Sequence, residues 1–180
     1  MFSGKCGEKE IILLNIESVQ QKEAEFALAQ AEERISMNSP FTTKEIAYLQ
    51  SQIPGRLATS NEQGELHVVP VRFSYNAELG TIDIGGARGG FGASRKFRDV
   101  ARTGKAAFVV DDVVPPHHIR GIEIRGRAEA FSEGGEQLRP GGDPAFIRLW
   151  PTHIVSWGIE QEEYHPYSRK VEERQNNAPS

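Results

Sequence analysis

From Gly121 to Phe131 the chain alternates. Ile122, Ile124 and Ala128 fall on one side, and Glu123, Arg125, Arg127 and Glu129 on the other. Period two sustained over that length describes a strand with one dry face and one wet face. Such a strand needs neighbours to cover its apolar side. The chain supplies them at hairpin spacing. Residues 56–60 and 65–75 flank a turn at Asn61-Glu62-Gln63-Gly64, and Asn76 to Gly80 turns again into Thr81-Ile82-Asp83-Ile84. Ala106 to Asp111 reads as another strand, and Phe146 to Trp157 as the last, broken or bulged at Pro151. The expected fold is therefore mostly β: about six strands and two small helices, arranged as a mostly antiparallel barrel.

Two helices are expected beside those strands. Thr42 can cap the first, with Glu45 completing a capping box and Phe41 and Ile46 placed as a hydrophobic staple. It should end before Pro54-Gly55. The second runs from Phe97 to Arg102 and is closed by Gly104. The stretch from Ser132 to Pro144 is rich in glycine and proline and reads as loop. Residues 1–39 lack turn punctuation and are rich in Glu, Gln and Ala; they read as an extension, helical or disordered, before a barrel domain at 40–159. Residues 1–36 are expected to be dispensable and to lie outside the native protein. Residues 160–180 read as a flexible tail.

Composition narrows the function. A formal net charge of −4 in 180 residues disfavours nucleic acid as a partner. The single cysteine, Cys6, allows no internal disulfide and fits a reducing cytoplasm. The apolar run Ile11-Ile12-Leu13-Leu14 is too short for a membrane span or a signal segment, so no membrane partner is expected.

The chemistry concentrates at Ser94-Arg95-Lys96, between the glycine loop Gly85–Gly92 and a helix start. Backbone N–H groups and the helix dipole favour an anion there. A hydroxyl, a guanidinium and an ammonium add donors. Cations at a helix start oppose the dipole unless an anion sits between, so this trio is read as a phosphate pocket. Arg98 and Arg102, with Asp99 beside them, are also explained as a solvated i,i+4 face. The second anchor is Val69-Pro70-Val71-Arg72. Pro70 removes a ladder donor, which suits either a protected edge strand or a strand whose free groups bond a flat heterocycle.

Other motifs carry less. The glycine loop fits neither a dinucleotide fingerprint nor a P-loop, and Ser94 lacks the second glycine of a nucleophile elbow. Asp111, Asp112, His117 and His118 are adjacent pairs around a Pro-Pro turn, without metal-ligand spacing, so a solvated loop and no metal are expected. His118 can line a site mouth. His153 and His165 are isolated.

Taken in order, Val69 to Phe73, Gly80 to Ile84, Ser94-Arg95-Lys96, Ile122 to Glu129 and Pro151 to Trp157 resemble the flavin-binding split barrels of the pyridoxamine 5′-phosphate oxidase-like class. Phe97-Arg98-Asp99-Val100, Phe108 to Asp112 and Ser156-Trp157-Gly158 are similar to its deazaflavin-dependent branch. The resemblance covers about residues 41–158. It implies a homodimer with cofactor sites at the interface, holding coenzyme F-420 (a deazaflavin) or FMN. It implies that Ser94, Arg95 and Lys96 hold the cofactor phosphate. Val69, Pro70, Val71 and Arg72, with Ile84 and Gly85, would lie along the ring and ribityl chain. Arg120 and Gly121 would approach from the next strand, and Trp157 from the partner subunit. The implied activity is hydride transfer between that cofactor and a small conjugated or quinone-like substrate; the alternative is a flavin or haem carrier on the same barrel. The oxidase's C-terminal Arg-Leu-His-Asp-Arg pattern is absent, so oxidation of vitamin B6 is not expected. No catalytic acid is identified.

Overall fold

The computed structural model describes residues 39–161 and 163–172. The extension expected at 1–39 lies outside the described residues except for Ser39, as does the end of the tail. Helix α1 spans Thr43–Ser51, and strands β1, β2 and β3 span Gly55–Ser60, Leu66–Asn76 and Thr81–Ala87. Helix α2 spans Arg95–Thr103, followed by β4 (Lys105–Val114) and β5 (His118–Phe131). A 3₁₀ turn at Gly135–Leu138 leads to β6 (Gly142–Trp157) and β7 (Tyr167–Lys170).

Every pairing is antiparallel, in the order β3-β2-β1-β4-β5-β6-β7, and β3 also pairs with β6. That closure makes a barrel of β1 to β6, as the strand pattern requires. Leu57, Ile82, Ile84, Phe108, Ile122, Ile124, Ile147, Leu149 and Ile154 are fully buried and fill its interior. The β5 alternation is realised as read: Ile122, Ile124 and Ala128 face inward, while Glu123, Arg125, Arg127 and Glu129 face out.

The capping box at α1 is complete. Thr42 Oγ1 accepts from the Glu45 amide at 3.2 Å, and Glu45 Oε2 accepts from the Thr42 amide at 3.0 Å. Helix α2 begins two residues earlier than the apolar pattern alone indicates, and closes at Gly104 with φ 65°. The irregularity expected near Pro151 is a bulge. Gly126 pairs with Pro151 and Arg125 with His153, leaving Thr152 as the extra residue. A Cβ on Gly126 would stand 1.8 Å from the Trp150 carbonyl oxygen, so only glycine fits there.

Three expectations change. The segment after residue 160 is not wholly tail: β7 pairs with β6 from His153 to Ser156. Its anchor is Arg169, which donates from Nη1 to Glu45 Oε1 at 2.9 Å and from Nη2 to the Pro40 carbonyl at 2.8 Å. Next, Asp111, Asp112 and His118 are in β4 and β5, because the hairpin is tighter than its Pro-Pro sequence implies. Finally, β2 is an edge strand only by halves: residues 66–71 pair with β1 and residues 72–76 with β3, so Pro70 lies in a stretch paired on one side. Among the described residues no helix is long and apolar enough to cross a membrane.

Candidate functional site

The β2–β3 ladder stops at Arg72, opposite Gly85, whereas the β1–β2 ladder runs from Leu66 to Val71. Residues 66–71 of β2 are thus paired on one side only. Pro70 sits in that stretch, where a missing N–H costs nothing on the open flank. Alternation divides the candidate residues of this strand. Val71 is buried, Val69 is partly buried against the core, and Pro70 and Arg72 are exposed. Ile84 is fully buried. Its side chain, with those of Val69 and Val71, belongs to the core. A ligand along this flank would meet Pro70, Arg72, Gly85 and backbone. Val69, Val71 and Ile84 can meet such a ligand through their backbone, since alternation sends their side chains inward.

Helix α2 starts beside this open flank. Arg95 Nη2 reaches Glu65 Oε2, immediately before β2, at 3.5 Å. Arg95 Nε also lies 3.7 Å from Asp99. Asp99 is no surface partner of Arg98: it is buried and accepts from Thr59 Oγ1 at 3.0 Å. Ser94 occupies the N-cap position, yet its hydroxyl makes no cap bond and donates to the Phe91 carbonyl at 2.6 Å. No acidic residue stands in the first turn. Among the described residues no side chain serves the first amides of α2. Lys96 holds its ammonium 4.7 Å from the Phe91 ring centroid and forms no ion pair among the described residues. Burial pushes its pKa below the ordinary lysine value. An unpaired, partly desolvated cation beside free helix amides is what an anionic group would neutralise.

The glycine loop itself does something else. Asp143, buried at the start of β6, accepts from the amides of Gly89 at 2.9 Å, Gly90 at 3.0 Å and Phe91 at 3.3 Å through Oδ2. Its Oδ1 accepts from Ala145 at 3.0 Å. These bonds, the Gly90 and Ala145 amides first among them, hold its carboxyl down to about 2. The loop amides expected to face a ligand anion are occupied by the protein's own. That leaves the helix start and its side chains as the candidate place for an anion. Nothing in the local sequence around residue 90 announces Asp143, which is more than fifty positions away.

On the other end of the barrel, Gly121 and Trp157 are register partners. The indole lies on Gly121 so closely that a Cβ there would meet Trp157 Cζ2 at 2.4 Å. Two residues singled out separately thus form one unit. Arg120 is differently engaged. Its Nε and Nη2 donate to Asp112 at 3.0 and 2.5 Å, and its guanidinium sits 5.1 Å from the Tyr48 ring centroid. Asp112 is held below the usual carboxylate range by that pair. The Tyr48 hydroxyl is pushed above its ordinary pKa, first by burial and then by Asp112. The Tyr48–Asp112–Arg120 group carries no local motif and is missed by sequence reasoning. So is a cluster on the outer face of β5 and β6. There Phe131 and Phe146 stack at 4.9 Å, and Arg148 lies over both rings while gripping Asp83 with two 2.7 Å bonds.

No family model matches the chain. It is, however, 50% identical over 123 residues to a 5a,11a-dehydrotetracycline/5a,11a-dehydrooxytetracycline reductase of Streptomyces rimosus, a match spanning 67% of this chain and 85% of that protein. The chain belongs to the flavin/deazaflavin-dependent split β-barrel oxidoreductases of the pyridoxamine 5′-phosphate oxidase-like class. Like that relative, it is an oxidoreductase. Solved split barrels agree in fold. A conserved hypothetical protein of Mycobacterium tuberculosis superposes with TM-score 0.51 at 18% identity, covering 67% of this chain and 86% of its own. General Stress Protein 26 of Bacillus anthracis gives 0.51 at 16% identity, with 71% and 98% covered. At such identities the likeness is one of architecture alone.

Proposed function

We propose that this split-barrel oxidoreductase passes hydride between a bound flavin-type cofactor, coenzyme F-420 or FMN, and a conjugated polycyclic or quinone-like substrate. The observation that carries this reading is the half-identity, across the barrel, to a reductase of dehydrotetracyclines. The geometry supports it: a strand flank open along 66–71 runs beside a helix start with free amides and an unpaired lysine. When bound, the cofactor would supply the hydride chemistry. The chain's part is to bind and orient. Lys96, Ser94 and the α2 amides would hold the phosphate, with Arg95 released from Glu65 to join them. Pro70, Arg72 and Gly85 would line the flank, and Trp157 with Gly121 would close the far side. We place the activity in the cytoplasm.

The site is completed by a second copy of the chain. The outer barrel face carries Val68, Ala58 and Ala107 as register partners across β2, β1 and β4. Leu66 and Val68 are 79% and 62% exposed. A groove of about 760 Å³, lined in part by Ala58, Leu66, Ala107 and Thr152, crosses this face. Exposed apolar surface of this kind is what a homodimer covers.

The test is direct. The purified protein is titrated with FMN and with F-420, and the reduced cofactor it accepts is then supplied with a dehydrotetracycline or a panel of quinones. Saturable binding followed by cofactor oxidation that depends on the second compound is expected. Binding without turnover on any compound would favour a carrier instead.

A further inference from the structure

A hollow of about 470 Å³ opens between α1, the start of β5 and the turn after β6. Tyr48, His118 and Arg120 stand in its wall, with Ala47 and Ile159 supplying apolar surface. It shares Gly158, Glu160 and Gln161 with a neighbouring hollow of about 280 Å³ that Trp157 lines. The two hollows thus adjoin along Gly158, Glu160 and Gln161, with Trp157 in the wall of the second. The size of the first falls within the range of small-molecule sites.

The charges around it cancel in pairs. Arg120 is bonded to Asp112, and Lys44 lies 3.8 Å from Glu160 while donating to the Glu160 carbonyl at 2.7 Å. Two polar groups are left underused. His118 Nε2 is buried and has no hydrogen-bond partner among the described residues. Among the described residues the Tyr48 hydroxyl has two long acceptors, Asp112 Oδ1 at 3.3 Å and the Arg120 carbonyl at 3.4 Å, and a single proton to share between them. Buried polar atoms left this way are costly unless something completes them. A charged ligand finds no uncompensated partner here, whereas a neutral oxygen does.

We infer that this hollow is the substrate pocket, taking a ring system without net charge whose carbonyl or phenol oxygen is positioned by Tyr48 and His118. The inference rests on the proposed function for the identity of the neighbouring cofactor site, and adds which surface reads the substrate. Tyr48 and His118 are positioning residues. Ala47, exposed on α1 at the wall, sets how much ring the pocket admits.

The experiment uses tetracycline as an unreactive binding probe and menadione as a reducible one. Binding of tetracycline to the parent, Tyr48→Phe, His118→Ala and Ala47→Phe proteins is followed by calorimetry. FMN and F-420 titrations and circular dichroism run in parallel. Ala47→Phe should weaken tetracycline at least tenfold by filling the pocket. Tyr48→Phe and His118→Ala should each weaken it about fivefold and raise the KM for menadione more than they lower kcat. Cofactor affinity should stay within about twofold throughout. Tetracycline and menadione behaving alike in parent and all three variants, while cofactor binds normally, overturns the pocket and leaves the proposed function standing. A parent that binds cofactor but neither probe overturns the ligand class. A parent that binds neither cofactor, yet holds tetracycline in an Ala47-dependent way, overturns the proposed function and leaves the pocket standing.

Discussion

Lys96 is a cation placed where a helix dipole would repel it, a placement that the Phe91 ring offsets in part and a counter-anion would offset further. Lys96→Ala should weaken cofactor binding about tenfold to a hundredfold, because a charged hydrogen bond is worth about 1.5–3 kcal/mol and about 1.4 kcal/mol is one decade. Equilibrium titration of FMN and F-420 checks this, with circular dichroism showing an intact barrel. Asp143 makes the opposite kind of prediction, about stability. Its folded pKa of about 2 lies below the ordinary 3.8. A depressed carboxylate stabilises the fold above its unfolded pKa, and that contribution fades as pH falls from about 4 through 2. Acid unfolding of Asp143→Asn beside the parent should show a stability gap that is full at neutral pH and closes across this window. The contrast also marks what single residues reveal. Ser94-Arg95-Lys96 was legible because a local sequence breaks a local rule. Asp143 was not, because the amides it satisfies belong to a loop more than fifty residues earlier, and nothing about an isolated aspartate before a proline announces that reach. The grouping of Tyr48 with Asp112 and Arg120 was hidden for the same reason.

Elements were easier to read than their attachments. The alternation of β5, the capping box of α1 and the glycine stop of α2 are local patterns, and each is found where its residues put it. Strand β7 was missed, because four residues rich in polar side chains show no periodicity. What holds it is tertiary: a buried pair between Arg169 and fully buried Glu45, which also closes the α1 cap. Removing one partner leaves an uncompensated buried charge. Arg169→Met should therefore cost about 3–5 kcal/mol in denaturant unfolding and release β7 from β6. The same loss loosens α1, so protease cleavage near residue 160 should accelerate. The bulge at Gly126 is equally exacting. Gly126→Ala would drive a methyl group into the Trp150 carbonyl and should prevent the β5–β6 register from forming, read as loss of soluble folded protein.

At the scale of the whole molecule, the apolar outer face predicts an assembly. Ala58→Arg, at the centre of the Val68–Ala58–Ala107 row, should leave a folded monomer by light scattering and should lose cofactor affinity with it, since Trp157 would then lack a second subunit to serve. A monomer that still binds cofactor as tightly as the parent would separate the two properties and remove the argument for a shared site. The closure of the barrel has a kinetic counterpart as well. Strand β6 is bonded along one side to β5 for nearly its whole length, and along the other first to β3 and then to β7. Its middle cannot detach by fraying from either end. In deuterated water the amides of Ile147, Leu149 and Ile154 should consequently trade their protons only when the entire barrel opens, while those of β7 exchange earlier through local release. One strand thus acts as a clock for global unfolding, and its slowest amides would report the molecule's full conformational stability without any denaturant.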